Sequence, residues 1–333
     1  MVKKTTYPPV LHASGLATSE NEYLVQLREE GFTVIPNVLT ENECDTAIDG
    51  IWNWLGSLNM GILRDEPESW GASNWITSIH GIVKNYSVGQ ADFMWDIRTH
   101  RRVKEVYERI WNTTDLVTSF DGACVMRPFE QVKRCRLFDD PENVWLHSDQ
   151  SPYTQEDCIQ GFVNLEEAGV EDGCFKCYPK SHLLAKDFWD SISEEKWTKE
   201  NWYRLNEMER QWYLDRGCSE IRVPAGKGSM VLWNSKTIHS NAFPLKTRST
   251  PRWRYVAYVS MMPREFLVGS KKGEQISEKR KNAVMTGRTS SHWSNHRFSL
   301  NSAFPRTYGK DVAFPPLLVR KWDEIPQSWK QLI

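Results

Sequence analysis

Ten short segments rich in β-favouring residues follow one another between residues 117 and 261, with turn-forming residues between most of them. Many short strands at such spacing are typical of an all-β barrel or sandwich. The sequence therefore predicts a β core beginning near residue 117. The predicted strands cover 117–120, 123–127, 132–137, 144–149, 158–165, 173–178, 219–223, 228–233, 236–242 and 252–261.

Helices are predicted on either side of these strands. The segment 21–30 has the character of a short helix, and the helix after it begins with a capping box formed by Thr40 and Glu43 and ends near Gly56. Apolar residues at helical spacing predict a further helix over 101–111. Residues 60–98 show no such spacing and are expected to be irregular. One helical insert, over about 185–216, interrupts the strands.

The chain of 333 residues is 40% hydrophobic, enough for one large domain or two modest ones. We predict an N-terminal arm over 1–20, a main domain over 21–263 and an extension over 264–333. Between residues 264 and 310 the extension has ten Lys and Arg against three Asp and Glu. It could wrap the core, cover a site or contact an anionic partner; a solvated extension packed on the core is the favoured interpretation.

Composition narrows the possible partners and compartment. The net charge is −1, so the molecule as a whole has no bias towards nucleic acid or a membrane surface. No apolar run reaches the length of a membrane span, and the first residues lack the apolar stretch of a secretory signal. Seven cysteines at irregular spacing fit a reduced, cytoplasmic protein.

The predicted strand over 144–149 carries His147 and Asp149. Side chains two apart on a strand point to the same face, so an imidazole and a carboxylate lie side by side. These are two of the three ligands of the 2-His-1-carboxylate site of non-haem Fe(II) oxygenases. The alternative is a half-exposed polar strand end, which the His-x-Asp pattern alone does not exclude.

A second histidine follows 90 residues after Asp149. His239 comes after a Gly-rich turn at 224–229 and a strand that contains Trp233. This separation suits a jelly roll, in which strands far apart in sequence meet at the mouth of the barrel. His239 is therefore the candidate third ligand, with a buried hydrogen-bonded histidine as the alternative.

Two arginines of equal parity, Arg252 and Arg254, begin an apolar strand that runs to Pro263. An arginine among apolar strand residues is costly to bury unless it meets an anion. A planar guanidinium suits bidentate capture of a carboxylate. Either arginine could point inward, or both could face solvent.

The order of His-x-Asp, Gly-rich turn, Trp-Asn, His-Ser and strand arginine resembles the phytanoyl-CoA dioxygenase-like family of Fe(II)/2-oxoglutarate oxygenases. The opening Glu30-Gly31-Phe32 resembles that family as well, and the likeness spans about residues 22–263. Similar segments are found at 89–98, 119–122, 149–152 and 160–165. The resemblance implies a double-stranded β-helix (jelly-roll or cupin-like) core, and it makes 21–263 the oxygenase domain, with the core at about 117–263.

By this resemblance, Fe(II) would be held by His147, Asp149 and His239. The 2-oxoglutarate cosubstrate would be held by Arg254. Arg252 is the second candidate, because the sequence spacing from His239 to Arg254 is longer than usual for the family. Ser240 and Asn241 lie where the family often has a polar neighbour of the cosubstrate. The reaction would consume O2 and release succinate and CO2. Halogenating relatives have a small residue in place of the carboxylate, so Asp149 favours hydroxylation.

The family mostly acts on metabolites, so a small-molecule substrate is the favoured prediction. An oxygenase acting on a protein or nucleic acid through the basic extension is one alternative, and a non-catalytic binding barrel is another. Several side chains on or beside the predicted strands could line the mouth of the site, although each is more often a packing residue. These are Arg127, Trp145, Gln150 and Trp233, together with Trp75 and His80 from the irregular segment 60–98.

Overall fold

The structure is a computed structural model. It describes residues 20–71, 74–132, 144–154, 156–192, 201–268, 271–309 and 311–333. Most of the predicted arm and most of the strand predicted over 132–137 lie outside these residues.

Two antiparallel sheets form the core. The larger has six strands in the order β1-β10-β6-β12-β4-β2, and the smaller has five in the order β8-β5-β11-β7-β9. A separate pair joins β13 to β3. The strands are β1 Phe32–Ile35, β2 Ile82–Val83, β3 Leu116–Thr118, β4 Ala123–Met126, β5 His147–Ser148, β6 Ile159–Asn164, β7 Cys174–Cys177, β8 Tyr203–Arg204, β9 Ile221–Val223, β10 Met230–Asn234, β11 His239–Ala242, β12 Arg254–Val259 and β13 Met261–Pro263.

Alternate residues of the larger sheet belong to two different hydrophobic clusters. On β12, Val256 and Tyr258 pack between the two sheets with residues of β7 and β9. Tyr255 and Ala257 point the other way and pack against the helices. The residues of β10 and β6 alternate in the same way, because successive side chains of a strand point to opposite faces. One set of side chains therefore faces the space between the two sheets.

Helices pack around both sheets: most lie on the outer face of the larger sheet, and the two of the insert pack with residues next to β5, β7 and β11 of the smaller one. The helices are α1 Glu20–Glu30, α2 Glu41–Ser57, α3 Asp92–Thr99, α4 Arg101–Trp111, α5 Ala185–Ser191, α6 Glu207–Leu214, α7 Lys271–Met285 and α8 Gln327–Lys330. The predicted capping box is present: the Thr40 side chain accepts from the Glu43 N–H, and Glu43 accepts from the Thr40 N–H. Helix α4 has the predicted bounds.

Two helical predictions are corrected. Helix α3 begins within residues 60–98, which were expected to be irregular. It is only two turns long, and the buried polar Arg98 lies among its apolar residues, so its apolar pattern is weak. The main helix of the insert covers only part of the predicted residues 185–216, because Asn206 caps it in a second capping box with Glu209. Trp202 precedes that helix, and β8 at Tyr203–Arg204 pairs with β5.

The extension folds back on the core. Trp329 stacks on Trp95 of α3 with ring centroids 4.6 Å apart. The fully buried Arg280 of α7 donates to the carbonyls of Thr118, Ser294 and Leu332, and to Ile333 O. These contacts join the end of the chain to the β13–β3 pair and to the loop that precedes Asn295.

The predicted fold class, mainly β with flanking helices and a jelly-roll core, is confirmed. Among the described residues, no helix has both the length and the apolar character that crossing a bilayer requires. The predicted bounds of the domain remain a prediction.

Candidate active site

Three side chains from two neighbouring strands converge at one end of the space between the sheets. His147 of β5 pairs directly with His239 of β11, which brings together two residues 92 positions apart. Asp149 follows β5 immediately, and its N–H is held by the carbonyl of Ser235. One possible ligand atom from each residue lies within 4.8 Å of the other two, and all three residues are buried or nearly so.

Both imidazoles are held by backbone carbonyls two residues upstream. The Nδ1 atom of His147 is 2.9 Å from the carbonyl oxygen of Trp145, and that of His239 is 2.8 Å from the carbonyl oxygen of Thr237. A carbonyl accepts only from an N–H, so Nδ1 carries the hydrogen and Nε2 presents its lone pair. His147 Nε2 lies 3.6 Å from Asp149 Oδ1, and His239 Nε2 lies 3.3 Å from Oδ2. The hydrogen bonds from Nδ1 to the two carbonyls are the outer support that a metal-binding histidine requires.

The environment favours the protonation states that bind a metal. Burial lowers the pKa of His147 to about 4, so the ring is neutral near pH 7. Burial opposes ionisation of Asp149, but the nearby His147, His292 and His239 outweigh it and hold its pKa well below the usual range. Neutral imidazoles and a carboxylate are the forms that ligate a cation.

Gln160 of β6 supports the carboxylate. Its Nε2 donates to Asp149 Oδ2 at 2.8 Å and to Ser235 Oγ at 3.0 Å. Sequence reasoning did not select this residue for a role, although a polar residue two positions before Phe162 on an apolar strand is a usable signal. Gln160 and Phe162 share the face between the sheets.

The structure separates the two candidate arginines. Arg254 is buried on the same face as Val256 and Tyr258, and none of its three guanidinium nitrogens has a hydrogen-bond partner among the described residues. Arg252 instead pairs with Asp172 at 3.0 Å, and its side chain is 40% exposed. A buried guanidinium without an acceptor is costly, so Arg254 is poised to receive an anion.

The two predicted polar neighbours on β11 differ in direction. Asn241 faces the space between the sheets, where its Nδ2 donates to the Tyr258 hydroxyl at 3.0 Å. Ser240 pairs with Lys176 across the strands and alternates to the other face. Its hydroxyl is buried and has no partner among the described residues.

A cavity of about 670 Å³ opens over the three converging side chains. One wall is apolar and aromatic, and the other is polar. The first includes Ile79, Ile82, Trp145, Phe175, Trp202 and Trp233. The second comes mainly from the extension and includes Lys272, Ser291, His292, His296, Arg297 and Asn301.

Of the six substrate candidates, Trp145 and Trp233 line this cavity. Trp145 lies between His147 and His80, and its ring stacks on that of His80 with centroids 3.9 Å apart. Trp233 lies with its centroid 5.2 Å from that of His239.

Arg127 and Gln150 are placed elsewhere. Arg127 donates to the carbonyl of Trp70, and its guanidinium lies 4.7 Å from the ring centroid of Trp75. The amide of Gln150 is fully buried and bonds to the backbone of Glu156 and Cys158. Both side chains are engaged in packing, and neither is among the described residues that line the cavity.

The extension brings two histidines that sequence reasoning set aside. His292 Nδ1 lies 4.0 Å from Asp149 Oδ2, and its Nε2 is buried without a partner among the described residues. His296 lines the same cavity and lies 3.8 Å from Glu156. Both lie in a loop whose position depends on contacts remote in sequence, such as the hydrogen bond from the Ser290 N–H to the carbonyl of Phe120.

A family model for phytanoyl-CoA dioxygenase matches residues 27–250. The chain belongs to the phytanoyl-CoA dioxygenase family. This confirms the predicted family, with iron and 2-oxoglutarate as its cofactors, and makes the chain a non-haem oxygenase. The donor set fits that assignment, since two histidines and one carboxylate suit Fe(II) and the unpartnered Arg254 suits a carboxylate.

Similar proteins include a fungal one, "Ava biosynthesis cluster protein O" of Aspergillus versicolor. It is 26% identical over 251 residues, covering 72% of this chain and 77% of the relative. A "Putative phytanoyl-CoA dioxygenase" of Dictyostelium discoideum is 22% identical, covering 63% and 67%. Among solved structures, the epimerase SnoN in complex with Fe3+, alpha ketoglutarate and nogalamycin RO is 19% identical, covering 73% and 83%, with a TM-score of 0.46.

Proposed function

We propose that this oxygenase hydroxylates a C–H bond of a small-molecule metabolite, with 2-oxoglutarate converted to succinate and CO2. The observation that carries the proposal is the pairing of a convergent His-Asp-His set with a buried arginine that has no internal acceptor. O2 is the oxidant, and one of its oxygen atoms goes to the substrate and the other to succinate. Iron and 2-oxoglutarate, when bound, would supply the chemistry that activates O2 for C–H cleavage.

The residues of the chain provide the geometry. His147, Asp149 and His239 would hold the metal through one atom each, which leaves the remaining coordination positions to the reactants. Backbone carbonyls fix the two rings, and Gln160 fixes the carboxylate. The metal is thereby held by atoms that need little rearrangement when it binds.

Arg254 would take the distal carboxylate of 2-oxoglutarate. It lies on the inner face of β12, beyond Tyr258, whose side chain reaches the cavity. Asn241 and Tyr258 are bonded to each other and both line the cavity. Arg252 is the weaker candidate because Asp172 already neutralises it.

A small molecule is favoured by the shape and charge of the surroundings. The cavity of about 670 Å³ is of the size that encloses a metabolite. Several basic side chains of the extension, which a nucleic acid would need, are engaged within the chain: Arg264 by Asp115, Arg280 by buried carbonyls and Arg320 by Asp92. The name of the fungal relative, a biosynthesis cluster protein, points the same way.

The test measures succinate formed from 2-oxoglutarate with Fe(II) and ascorbate, for the wild type and for His147→Ala, Asp149→Ala and His239→Ala. Succinate from the wild type and its loss in all three variants is the expected result. His100→Ala is the matched control, since His100 pairs with Glu43 and does not line the cavity. Undiminished succinate from the triad variants would contradict the assignment of these ligands.

Hydroxylation is tested separately with a metabolite extract under isotopically labelled O2. A product that is heavier than its precursor by one labelled oxygen atom is expected. A product that has only lost hydrogen, or has only changed configuration, would leave an oxygenase-type centre with a different outcome.

A further inference from the structure

We propose that the substrate is an anion, with a carboxylate, phosphate or sulfonate group that is bound by Lys272 and Arg297 of the extension while its apolar body lies on the tryptophan wall. This inference rests on the proposed function for the place where the substrate binds. It adds the chemical class of that substrate.

The first support is the state of the cationic side chains around the cavity. Lys84, Lys272 and Arg297 line it, and none of the three has an acidic partner among the described residues. Arg297 is half buried, its Nε is fully buried without an acceptor, and its guanidinium lies 5.5 Å from the ring centroid of Trp293. Lys84 and Arg297 are partly buried, and partly buried cations without counterions are unfavourable unless a ligand supplies the charge. Lys272, at an exposed position, adds its charge to theirs.

The second support is the proximity of these cations to one another. The positive charges of Lys272 and Arg297 add to burial in lowering the pKa of His296, which they do only if they lie close to it. Glu156, at 3.8 Å, opposes this effect and is the acidic neighbour of His296. No comparable acid faces Lys272 or Arg297 in the part of the chain that the structure describes.

The third support is the charge balance of the loaded site. The positive charges of Fe(II) and Arg254 equal the negative charges of Asp149 and 2-oxoglutarate, so the metal centre is neutral as a whole. Asp121 is the other acidic residue that lines the cavity, and burial raises its pKa, which favours its uncharged form. The three cations therefore outnumber the one remaining carboxyl group, that of Asp121, among the described residues that line the cavity.

The tryptophans that line the cavity suit an apolar or aromatic body for the rest of the ligand. Trp145 and Trp233 face the metal-binding side chains, and Trp202, whose side chain is largely exposed, stands at the edge of the cavity. Flat or apolar groups bind well to such rings. The family model ends at residue 250, so Lys272 and Arg297 lie outside the part of the chain that matches the family.

The experiment compares two fluorescent probes with the same aromatic body. One is 8-anilinonaphthalene-1-sulfonate, which is an anion, and the other is N-phenyl-1-naphthylamine, which lacks the sulfonate. Both are titrated into full-length protein with Mn(II) and saturating 2-oxoglutarate, so that Arg254 is occupied. The wild type is expected to bind the sulfonate more tightly, and rising salt is expected to weaken that binding alone.

The Lys272→Gln/Arg297→Gln variant is expected to weaken binding of the sulfonate about tenfold and to leave binding of the neutral probe within about twofold. Lys271→Gln/Lys281→Gln is the matched control, with the same loss of charge on the same extension outside the cavity. Lys272→Gln alone, at an exposed position, provides a second variant that is expected to fold normally and to show part of the effect.

Equal affinity of the two probes in the wild type, or equal losses for both in the double variant, would overturn the inference. The readout is binding, so it does not depend on turnover. Succinate formation without preference for the sulfonate would refute only the substrate class. Preference for the sulfonate without succinate formation would refute only the proposed reaction.

Discussion

Gln160 Nε2 donates a hydrogen bond to Asp149 Oδ2 across 2.8 Å, from the larger sheet to the end of β5 in the smaller one. The other side chains near this carboxylate are the imidazoles of His147, His239 and His292. Gln160→Leu keeps the approximate volume and removes the donor. We expect affinity for Fe(II) or Mn(II) to fall roughly 10- to 100-fold, measured by anaerobic titration.

The control for this change is Gln211→Leu. Gln211 makes the same type of bond, from Nε2 to Asp215 Oδ1 at 2.7 Å, but on the exposed helix α6. Metal affinity is expected to be unchanged in that variant. Equal metal affinity in Gln160→Leu and in the wild type would show that Asp149 is positioned without this bond.

Arg254→Met should have opposite effects on the free and the loaded protein. Without 2-oxoglutarate, removal of a buried guanidinium that lacks an acceptor is expected to raise the melting temperature. With Mn(II) and 2-oxoglutarate, the stabilisation seen in the wild type should be largely lost, because affinity for the cosubstrate falls roughly 10- to 100-fold. Thermal denaturation with and without the cosubstrate measures both effects.

Arg252→Met is the comparison for Arg254→Met. Its partner Asp172 also accepts from Arg248, so loss of the half-exposed Arg252 should change stability little and leave the cosubstrate effect intact. If Arg252→Met abolished that effect and Arg254→Met did not, the two roles would be reversed.

His80 should make stability depend on pH. Burial, helped by the charge of Arg204, lowers the pKa of His80 to about 4 while its ring stacks on Trp145. The unfolded chain binds this proton near pH 6.5 and the folded chain does not, so stability falls as the pH drops from about 6.5 towards about 4. His80→Phe keeps an aromatic ring and removes the titration.

Urea unfolding of the wild type and of His80→Phe measures this effect. Between about pH 7 and pH 5, the wild type should lose about 1 kcal/mol more than the variant, after allowance for the partial exposure of the ring. Parallel losses in the two proteins would show that His80 takes up its proton equally well in the folded state.

Arg280→Met should destabilise the whole protein. The guanidinium is fully buried and serves the carbonyls of Thr118, Ser294 and Leu332 as well as Ile333 O. These acceptors would lose their donors away from water, at a cost of at least about 3 kcal/mol in the free energy of unfolding. Lys271→Met, at an exposed position of the same helix, should cost little in the same chemical denaturation experiment.

The strands and most helices could be predicted because their patterns are local. The run of β-favouring residues along β12, the capping box at Thr40 and the apolar stripe of α4 all belong to short stretches of sequence. Helix α3 was missed because it is only two turns long and has the polar Arg98 on its buried face, which weakens the apolar pattern on which prediction depends.

The candidate site was predictable where the chemistry lies within one strand or one motif. His147 and Asp149 follow from their spacing, and His239 from its place after the Gly-rich turn. The contact of Gln160 with Asp149 and the approach of His292 depend on how distant segments pack, and no local pattern encodes that. Arg127 and Gln150 have the residue types of a binding site, but their polar groups serve the backbone instead.

The alternation of β12 between two clusters has a consequence for the tolerance of this chain to mutation. Tyr255 and Ala257 hold the helical layer, whereas Arg254, Val256 and Tyr258 face the space between the sheets. Neighbouring residues are therefore expected to be under different kinds of selection. One set maintains the packing of the helices on the sheet, and the other maintains the shape and charge of the space between the sheets. A saturation scan along this strand should show the two constraints interleaved, residue by residue.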